Sequence, residues 1–396
     1  MKPNELTRRV LVGNAAQRAA GTAVAVGGGA PCAVQSMLNA PASDAAANIA
    51  QGKRLIAAGC EILRMAVPRL DCIPAFAEVC AALPVPVVAD IHFDARIAIA
   101  AAEAGAAKLR INPGNIGGLD ATRPVLAAAK ATGIPIRIGV NAGALDAALS
   151  ARNDLTLPEK LVESAAGYVA FCESECFTDL VVSAKAHDVP TTLATYRLLS
   201  GRLPHIPLHI GVTEAGTSFQ GLIKSACGLG VLLERGIGDT MRISLTADPT
   251  EEVRAAWTLL QTLGLRSRGF EIISCPTCGR TEVDLIPIAG EVERRLEAKH
   301  AAKQLGATAG LPDPLRVAVM GCVVNGPGEA KDAHLGVACG RGSGAVFVDG
   351  KVVRHVPEEG IVDALMEAIE DLRFARIDEN RTCEPAEPAP ETRKPL

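Results

Sequence analysis

Three cysteines and one glutamate carry the most specific chemistry in this chain. Cys275-Pro-Thr-Cys278-Gly sets two thiols close together, and Gly321-Cys322-Val-Val-Asn-Gly-Pro-Gly-Glu329 supplies a third, with an acid seven residues beyond it. A closed structural zinc site uses four N or S ligands. An iron–sulfur cubane held by three thiolates leaves one iron able to take a weaker oxygen ligand, and so able to meet a substrate. Glu329 is the candidate for that oxygen, as ligand or proton donor. The Gly- and Pro-dense loop before it suits close wrapping of a bulky inorganic core, with backbone N–H groups turned toward its sulfurs. Two alternatives stand beside this. A thioredoxin-like dithiol is disfavoured because it has no use for Cys322 and Cys278 opens no evident helix. A zinc site built from Cys275, Cys278, Cys322 and Cys339 remains open, with Cys339 distant in a different turn.

A second set of residues is cationic. In Leu109-Arg110-Ile111-Asn112 the apolar residues share one face of a strand, while Lys108, Arg110 and Asn112 share the other. Arg137, Gly139 and Asn141 oppose Ile136, Ile138 and Val140; Arg242, Ser244 and Thr246 oppose Met241, Ile243 and Leu245; Asp90 and His92 oppose Val87, Ala89 and Ile91. Period-two alternation turns one set outward to helices and the other inward. Inward cations are costly unless they bind something. Arg64, Arg110, Arg137, Lys185 and Arg242 therefore predict a pocket for a phosphate or diphosphate, with Asn112, Asn141, Asp90, His92, Gln35 and Ser244 supplying hydrogen bonds. The competing explanation, that each cation pairs with a carboxylate such as Asp90 or Glu214, is weakened by how few inward carboxylates the pattern offers.

The elements that must position these residues are short β-like runs alternating with helices. The runs centre on Cys32–Met37, Ile62–Val67, Val85–His92, Ala106–Asn112, Pro135–Asn141, Leu180–Lys185, Leu208–Thr213 and Thr240–Thr246. Amphipathic stretches such as Asp44–Ala58, Asp94–Glu103, Pro158–Glu173 and Pro249–Leu263 separate them. Eight βα units predict an α/β fold, a (β/α)8 TIM-type barrel over 1–265, and place the cations toward its C-terminal mouth. Residues 266–377 change character and predict a smaller α+β domain, with strands Phe270–Ser274, Arg316–Gly321 and Leu335–Ala338, a helix near Glu291–Leu305, a hairpin turning at Asp349-Gly350 and a last helix over about Pro357–Arg376. The Pro- and Glu-rich remainder, 378–396, reads as a disordered tail containing Cys383.

Composition narrows the function classes. The chain has 396 residues, 48% of them hydrophobic but only 3% aromatic, so its core is aliphatic, as parallel sheets and packed helices require. A formal charge of −4 lacks the basic excess of nucleic-acid binders. No apolar run has the length of a membrane span and no signal peptide precedes the fold. Most of the 12 cysteines, Cys60, Cys80, Cys172 and Cys227 among them, sit in apolar periodic segments and read as small buried hydrophobes. A reducing, cytoplasmic location is expected.

Together these segments resemble the 4-hydroxy-3-methylbut-2-enyl diphosphate synthase family, iron–sulfur enzymes of the methylerythritol phosphate route to isoprenoids. The resemblance rests on Val34-Gln-Ser-Met37, Val88-Ala-Asp-Ile-His-Phe-Asp94, Leu109-Arg-Ile-Asn-Pro-Gly-Asn115, Ile136-Arg-Ile-Gly-Val-Asn-Ala-Gly143 and Val182-Ser-Ala-Lys185. It continues through Thr213-Glu-Ala-Gly216, Gly236-Ile-Gly-Asp-Thr240, Ser274-Cys-Pro-Thr-Cys-Gly-Arg280 and Gly321-Cys-Val-Val-Asn-Gly-Pro-Gly-Glu-Ala330. It implies a barrel followed by a cluster domain related to that of sulfite reductases, in a homodimer where the cluster domain of one subunit caps the barrel of the other. It implies a [4Fe–4S] cluster on Cys275, Cys278 and Cys322 with Glu329 as fourth ligand at rest. Arg64, Arg110, Arg137 and Lys185, helped by Asn112 and Asn141, would grip the diphosphate of 2-C-methyl-D-erythritol 2,4-cyclodiphosphate. The reaction takes two electrons singly, so reduced flavodoxin or ferredoxin is the implied donor. The Ala/Gly-rich stretch 15–29 departs from the family's usual first hairpin and predicts an elaborated barrel floor. A zinc-stabilised barrel lyase or hydrolase acting on a phosphorylated small molecule, and a non-catalytic cluster-binding regulator, are the alternatives.

Overall fold

The computed structural model describes residues 2–141, 143, 145, 147–304, 314–322, 330 and 332–382. Its contacts divide the chain into two units, Met1–Arg266 and Ser267–Leu396.

The first unit is a parallel barrel. After a short hairpin, β1 (Val10–Val12) and β2 (Val24–Val26), come β3 (Ala33–Met37), β4 (Ile62–Ala66), β5 (Val87–Asp90), β6 (Lys108–Ile111), β7 (Ile136–Asn141), β8 (Leu180–Lys185), β9 (His209–Ile210) and β10 (Thr240–Met241). The eight strands run in the order β8-β7-β6-β5-β4-β3-β10-β9, and a single parallel bridge, Val182 to Leu208, joins the two ends. Each predicted run contains a strand, but the last two, Leu208–Thr213 and Thr240–Thr246, are strand only over His209–Ile210 and Thr240–Met241.

The local causes are legible. Asp44, Asp94, Asp188 and Asp248 each end a strand-to-helix loop and cap the next helix, accepting from the backbone N–H of Ala47, Arg96, Thr191 and Thr250 at 2.7–2.9 Å. The outer faces of the strands (Leu63, Met65, Val87, Ala89, Leu109, Ile111, Ile136, Ile138) pack with the helices in one large aliphatic core. A second, smaller cluster forms the floor. The hairpin residues Val10, Val12 and Val26 pack against Ala33, Ile62, Val88 and Val181 inside the barrel's N-terminal end. Gly13 N–H donates to the Ala107 carbonyl at 3.1 Å and ties this plug to the start of β6. Stretch 15–29 supplies a five-residue helix, Ala15–Ala19, and the second strand of that plug.

The second unit is a five-stranded sheet in the order β11 (Phe270–Ser274), β12 (Leu315–Met320), β13 (Leu335–Gly340), β14 (Ser343–Val348) and β15 (Lys351–Pro357). The first three strands are parallel and the last two complete an antiparallel meander. Asp349 and Gly350, both at positive φ (47° and 75°), make its tight turn. Helices Leu285–Gln304 and Ile361–Thr382 belong to the same unit, and the buried side chains Leu285, Ile288, Val292, Leu296, Ile361, Leu365 and Ile369 cover one sheet face.

Cysteine usage agrees with the expectation at most positions and departs at one. Cys60, Cys80 and Cys172 are buried, but Cys227 is exposed, because it falls on the outer side of helix Ser218–Glu234. No disulfide occurs among the described residues. No described helix is long and apolar enough to cross a membrane. Cys383 lies outside the described residues.

Candidate active site

Strand pairing brings the cations together. Asp90 pairs in register with Arg110, Arg110 with Arg137, and Asn141 with Lys185. Arg64, one strand before Asp90, brings its Nε within 3.7 Å of the Asp90 carboxylate, and Arg110 Nη1 lies 3.2 Å from it. His92 Nε2 stands 3.3 Å from the same carboxylate. Asp90 thus meets three positive or polar groups at once. Burial alone would push its carboxyl up, but the His92 hydrogen bond and the charges of Arg64 and Arg110 outweigh this and hold it well below the usual carboxylate range.

One carboxylate does not balance the set. Arg137 is 1% exposed, and its Nε and Nη1 have no hydrogen-bond partner. Arg110 Nε, Asn112 Nδ2 and Asn141 Oδ1 are likewise buried without partners. Arg64 directs Nε and Nη2 to the Met37 sulfur at 3.2 and 2.8 Å, a weak acceptor for a guanidinium. Burial, followed by the nearby arginine charges, drives the Lys185 amine well below its ordinary pKa. Buried polar groups are nearly always satisfied in folded proteins, so orphans clustered at one place mark a ligand's position.

Two glycines make the space. A methyl at Gly139 would lie 2.6 Å from Arg110 Nε, and one at Gly211 would lie 2.6 Å from Lys185 Nζ. Gly139 sits at an inward position of β7 and Gly211 just past the end of β9, where barrels normally carry bulky side chains. Here the volume is given to the two cations.

Arg242 behaves differently from the others. Its Nε and Nη2 donate to Glu252 at 3.2 and 2.9 Å, and Glu252 is 2% exposed. The scarcity of inward carboxylates therefore fails at this position, because Glu252 reaches in from helix Pro249–Thr262 rather than from a strand. Glu214, the other carboxylate considered, is exposed and pairs with none of these cations. Ser244 is half-buried above Arg242. A cavity of about 370 Å³ opens beside this pair, lined by Met37, Asn39, Met65, Leu245 and Glu252 among others.

Of three further inward residues, the sequence reading gave Lys108 no binding role, gave Gln35 an auxiliary one and missed His209. Lys108 and His209 are fully buried, and Lys108 Nζ and His209 Nε2 have no partner; Gln35, named only as an auxiliary hydrogen-bonding group, is unpaired at both amide atoms. Lys108 was legible as an inward residue from its alternation with Leu109. His209 belongs to a strand of two residues, too short to show a period.

In the second unit, Cys275 follows β11 and Cys322 follows β12. Since these strands are parallel neighbours, with Ser274 opposite Val319, both thiols leave the sheet at the same end. Gly321 N–H donates to Cys275 Sγ at 3.3 Å. Cys278 is exposed, and the backbone N–H of Arg280 leads the influences that lower its thiol pKa. Soft thiols receiving backbone N–H groups are the donor chemistry an iron–sulfur group requires. Among the described residues no three His, Cys, Asp or Glu side chains stand close enough to hold a single ion. A cluster is wider than an ion, and its thiolates stand apart around it. Glu329, with the loop 323–329, lies outside the described residues.

Comparison with known proteins settles the lineage. The model of the GcpE TIM-barrel domain matches residues 17–257, and that of the GcpE protein C-terminal domain matches residues 271–371. The chain belongs to the GcpE family. Its GcpE relatives include the 4-hydroxy-3-methylbut-2-en-1-yl diphosphate synthase (flavodoxin) of Geobacter sulfurreducens, 49% identical over 92% of this chain and 98% of that one. Proteins of the same name from Maridesulfovibrio salexigens and Bifidobacterium longum are 48% and 47% identical, over 92% and 94% of this chain and 96% and 87% of theirs. The GcpE TIM-barrel description agrees with the observed closure of eight parallel strands.

Proposed function

We propose that this chain reductively opens 2-C-methyl-D-erythritol 2,4-cyclodiphosphate and removes a hydroxyl, giving (E)-4-hydroxy-3-methylbut-2-enyl diphosphate in non-mevalonate isoprenoid synthesis. It is an oxidoreductase, in keeping with the flavodoxin-linked synthase that its near-full-length relatives are named as. The observation that carries the residue assignment is the barrel's uncompensated charge: Arg64, Arg110, Arg137 and Lys185 around the single carboxylate of Asp90. That set suits a diphosphate.

Ring opening places negative charge on the diphosphate oxygen that leaves carbon. Arg110, Arg137 and Lys185 neutralise it as it develops, and Arg64 and Asp90 hold the array in place. Asn112 Nδ2 donates to a substrate oxygen, Asn141 Oδ1 accepts from a substrate hydroxyl, and His92, Arg242 and Ser244 line the rim. In the second unit, Cys275, Cys278 and Cys322 would hold a [4Fe–4S] cluster with Glu329 as the fourth ligand at rest. When bound, that cluster supplies electrons one at a time and an iron that polarises a substrate oxygen. Glu329, when it has taken a proton from solvent, would donate that proton to the departing hydroxyl, which leaves as water. Reduced flavodoxin, the donor in the relatives' names, or a ferredoxin serves as the one-electron partner. The working form is a homodimer whose active site is shared between subunits, in the cytoplasm.

Turnover of the cyclodiphosphate by anaerobically purified protein with reduced flavodoxin tests the reading. Iron and sulfide analysis of the same sample discriminates against a zinc-stabilised lyase or hydrolase, which would carry neither and would need no reductant.

A further inference from the structure

The diphosphate assignment leaves the deepest polar groups of the barrel unexplained. Lys108 lies one inward step below Arg110 on β6 and pairs in register with Val88. Its side chain is 0% exposed and its Nζ has no partner. Arg137 Nε and Nη1 and His209 Nε2 are orphaned in the same region. Beneath them the barrel is closed by Ile62, Val88, Val181 and the hairpin valines, none of which can hydrogen-bond through its side chain.

We propose that Lys108 is a further binding residue of the diphosphate site, forming with Arg137 an inner tier that one phosphoryl group of the diphosphate reaches below the mouth. This rests on the diphosphate reading above and extends it downward. The charged groups facing Lys108 are Arg137 on β7 and Arg64 on β4; His209 on β9 is polar and held neutral by burial and these cations. Its register partner on β5 is Val88, and the floor cluster beside it is made of Val10, Val12, Val26, Ile62, Val88 and Val181, none of them titratable. No carboxylate neutralises it: Asp90 is already engaged by Arg64, Arg110 and His92.

The consequence is coupled protonation. Burial and the charge of Arg137 drive the Lys108 amine well below its ordinary pKa in the empty pocket. An arriving polyanion reverses the sign of the local field, and the amine takes a proton from solvent as the anion enters. Lys185, on β8 nearer the mouth, is the other amine in this field.

The test is calorimetric titration of the full-length protein with inorganic pyrophosphate in two buffers of different ionisation enthalpy. Wild-type protein is expected to bind with net proton uptake, seen as a buffer-dependent heat. Lys108→Met, close to isosteric, is expected to raise the dissociation constant about tenfold or more, the effect of losing one charge-assisted hydrogen bond, and to lose that uptake. Comparing the two proteins cancels pyrophosphate's own titration. Unchanged affinity in the variant, or uptake that persists and so belongs to Lys185, overturns the proposal while the diphosphate site stands. Wild-type protein that binds no pyrophosphate overturns both. If Lys108→Met does not fold, Lys108→Gln replaces it, and absence of buffer-dependent heat in wild-type protein alone is decisive against the proposal.

Discussion

Arg110 shows how far single residues could be read. Its alternation with Ile111 announced an inward cation, and the structure gives it one carboxylate partner at 3.2 Å and an orphaned Nε. Replacing it with alanine removes charge-assisted bonds to the anion. Arg110→Ala should raise KM for the cyclodiphosphate by about ten- to a hundredfold, with iron and sulfide content unchanged; an unaltered KM would refute the anion site. Arg64, Arg137 and Lys185 were legible by the same alternation. Glu252 was not, since strand periodicity says nothing of a helix residue that bends into the barrel, and its capture of Arg242 emerges only from three-dimensional contact. Glu329 rests on motif position alone.

At the scale of elements, the glycines are the sharpest test. Gly139→Ala sets a methyl against the far end of a flexible arginine. The barrel should tolerate it, with little change in melting temperature, while substrate affinity falls because Arg110 is displaced. Gly336→Ala is the contrast: its methyl would lie 2.5 Å from the Ala318 carbonyl oxygen and 2.6 Å from the Phe347 ring, so the β12–β13 pairing must shift and the second unit should lose stability. The floor carries a pH signature. Asp239 accepts from Leu208 N–H at 2.7 Å and contacts Thr7 Oγ1 at 3.1 Å, and that hydroxyl also donates to the Asn4 carbonyl at 2.9 Å. Burial outweighs the lowering effect of the Leu208 N–H and Thr7 hydroxyl donors and raises the Asp239 pKa to about 6. A raised folded-state pKa favours the native state below the unfolded value near 4 and loses that contribution as pH rises through 6. The unfolding free energy should therefore fall across this window, by at most ~3 kcal/mol, and Asp239→Asn should flatten the slope. The barrel strands were readable because eight βα units repeat one signal; the floor hairpin, whose β1 and β2 are three residues each, was expected only through the family resemblance.

At the scale of the whole molecule, the cations belong to one unit and the thiols to the other. Cys322→Ser should abolish iron incorporation and turnover yet leave pyrophosphate binding intact. At substrate concentrations far below the KM of Arg110→Ala, that variant turns over slowly and Cys322→Ser not at all. Dissociating and remixing equal amounts of the two proteins there should restore about a quarter of wild-type activity if barrel and thiols from different subunits form one site, since half the dimers are mixed and each has one intact pair. No recovery would assign both halves to a single chain. The valine plug adds a constraint on traffic. A chamber sealed at its base has one door, so the product must leave by the opening through which the next substrate arrives. Product inhibition should accordingly be competitive against the cyclodiphosphate, and a substitution that opens the floor, such as Val12→Gly, would turn a dead-end well into a leaking channel.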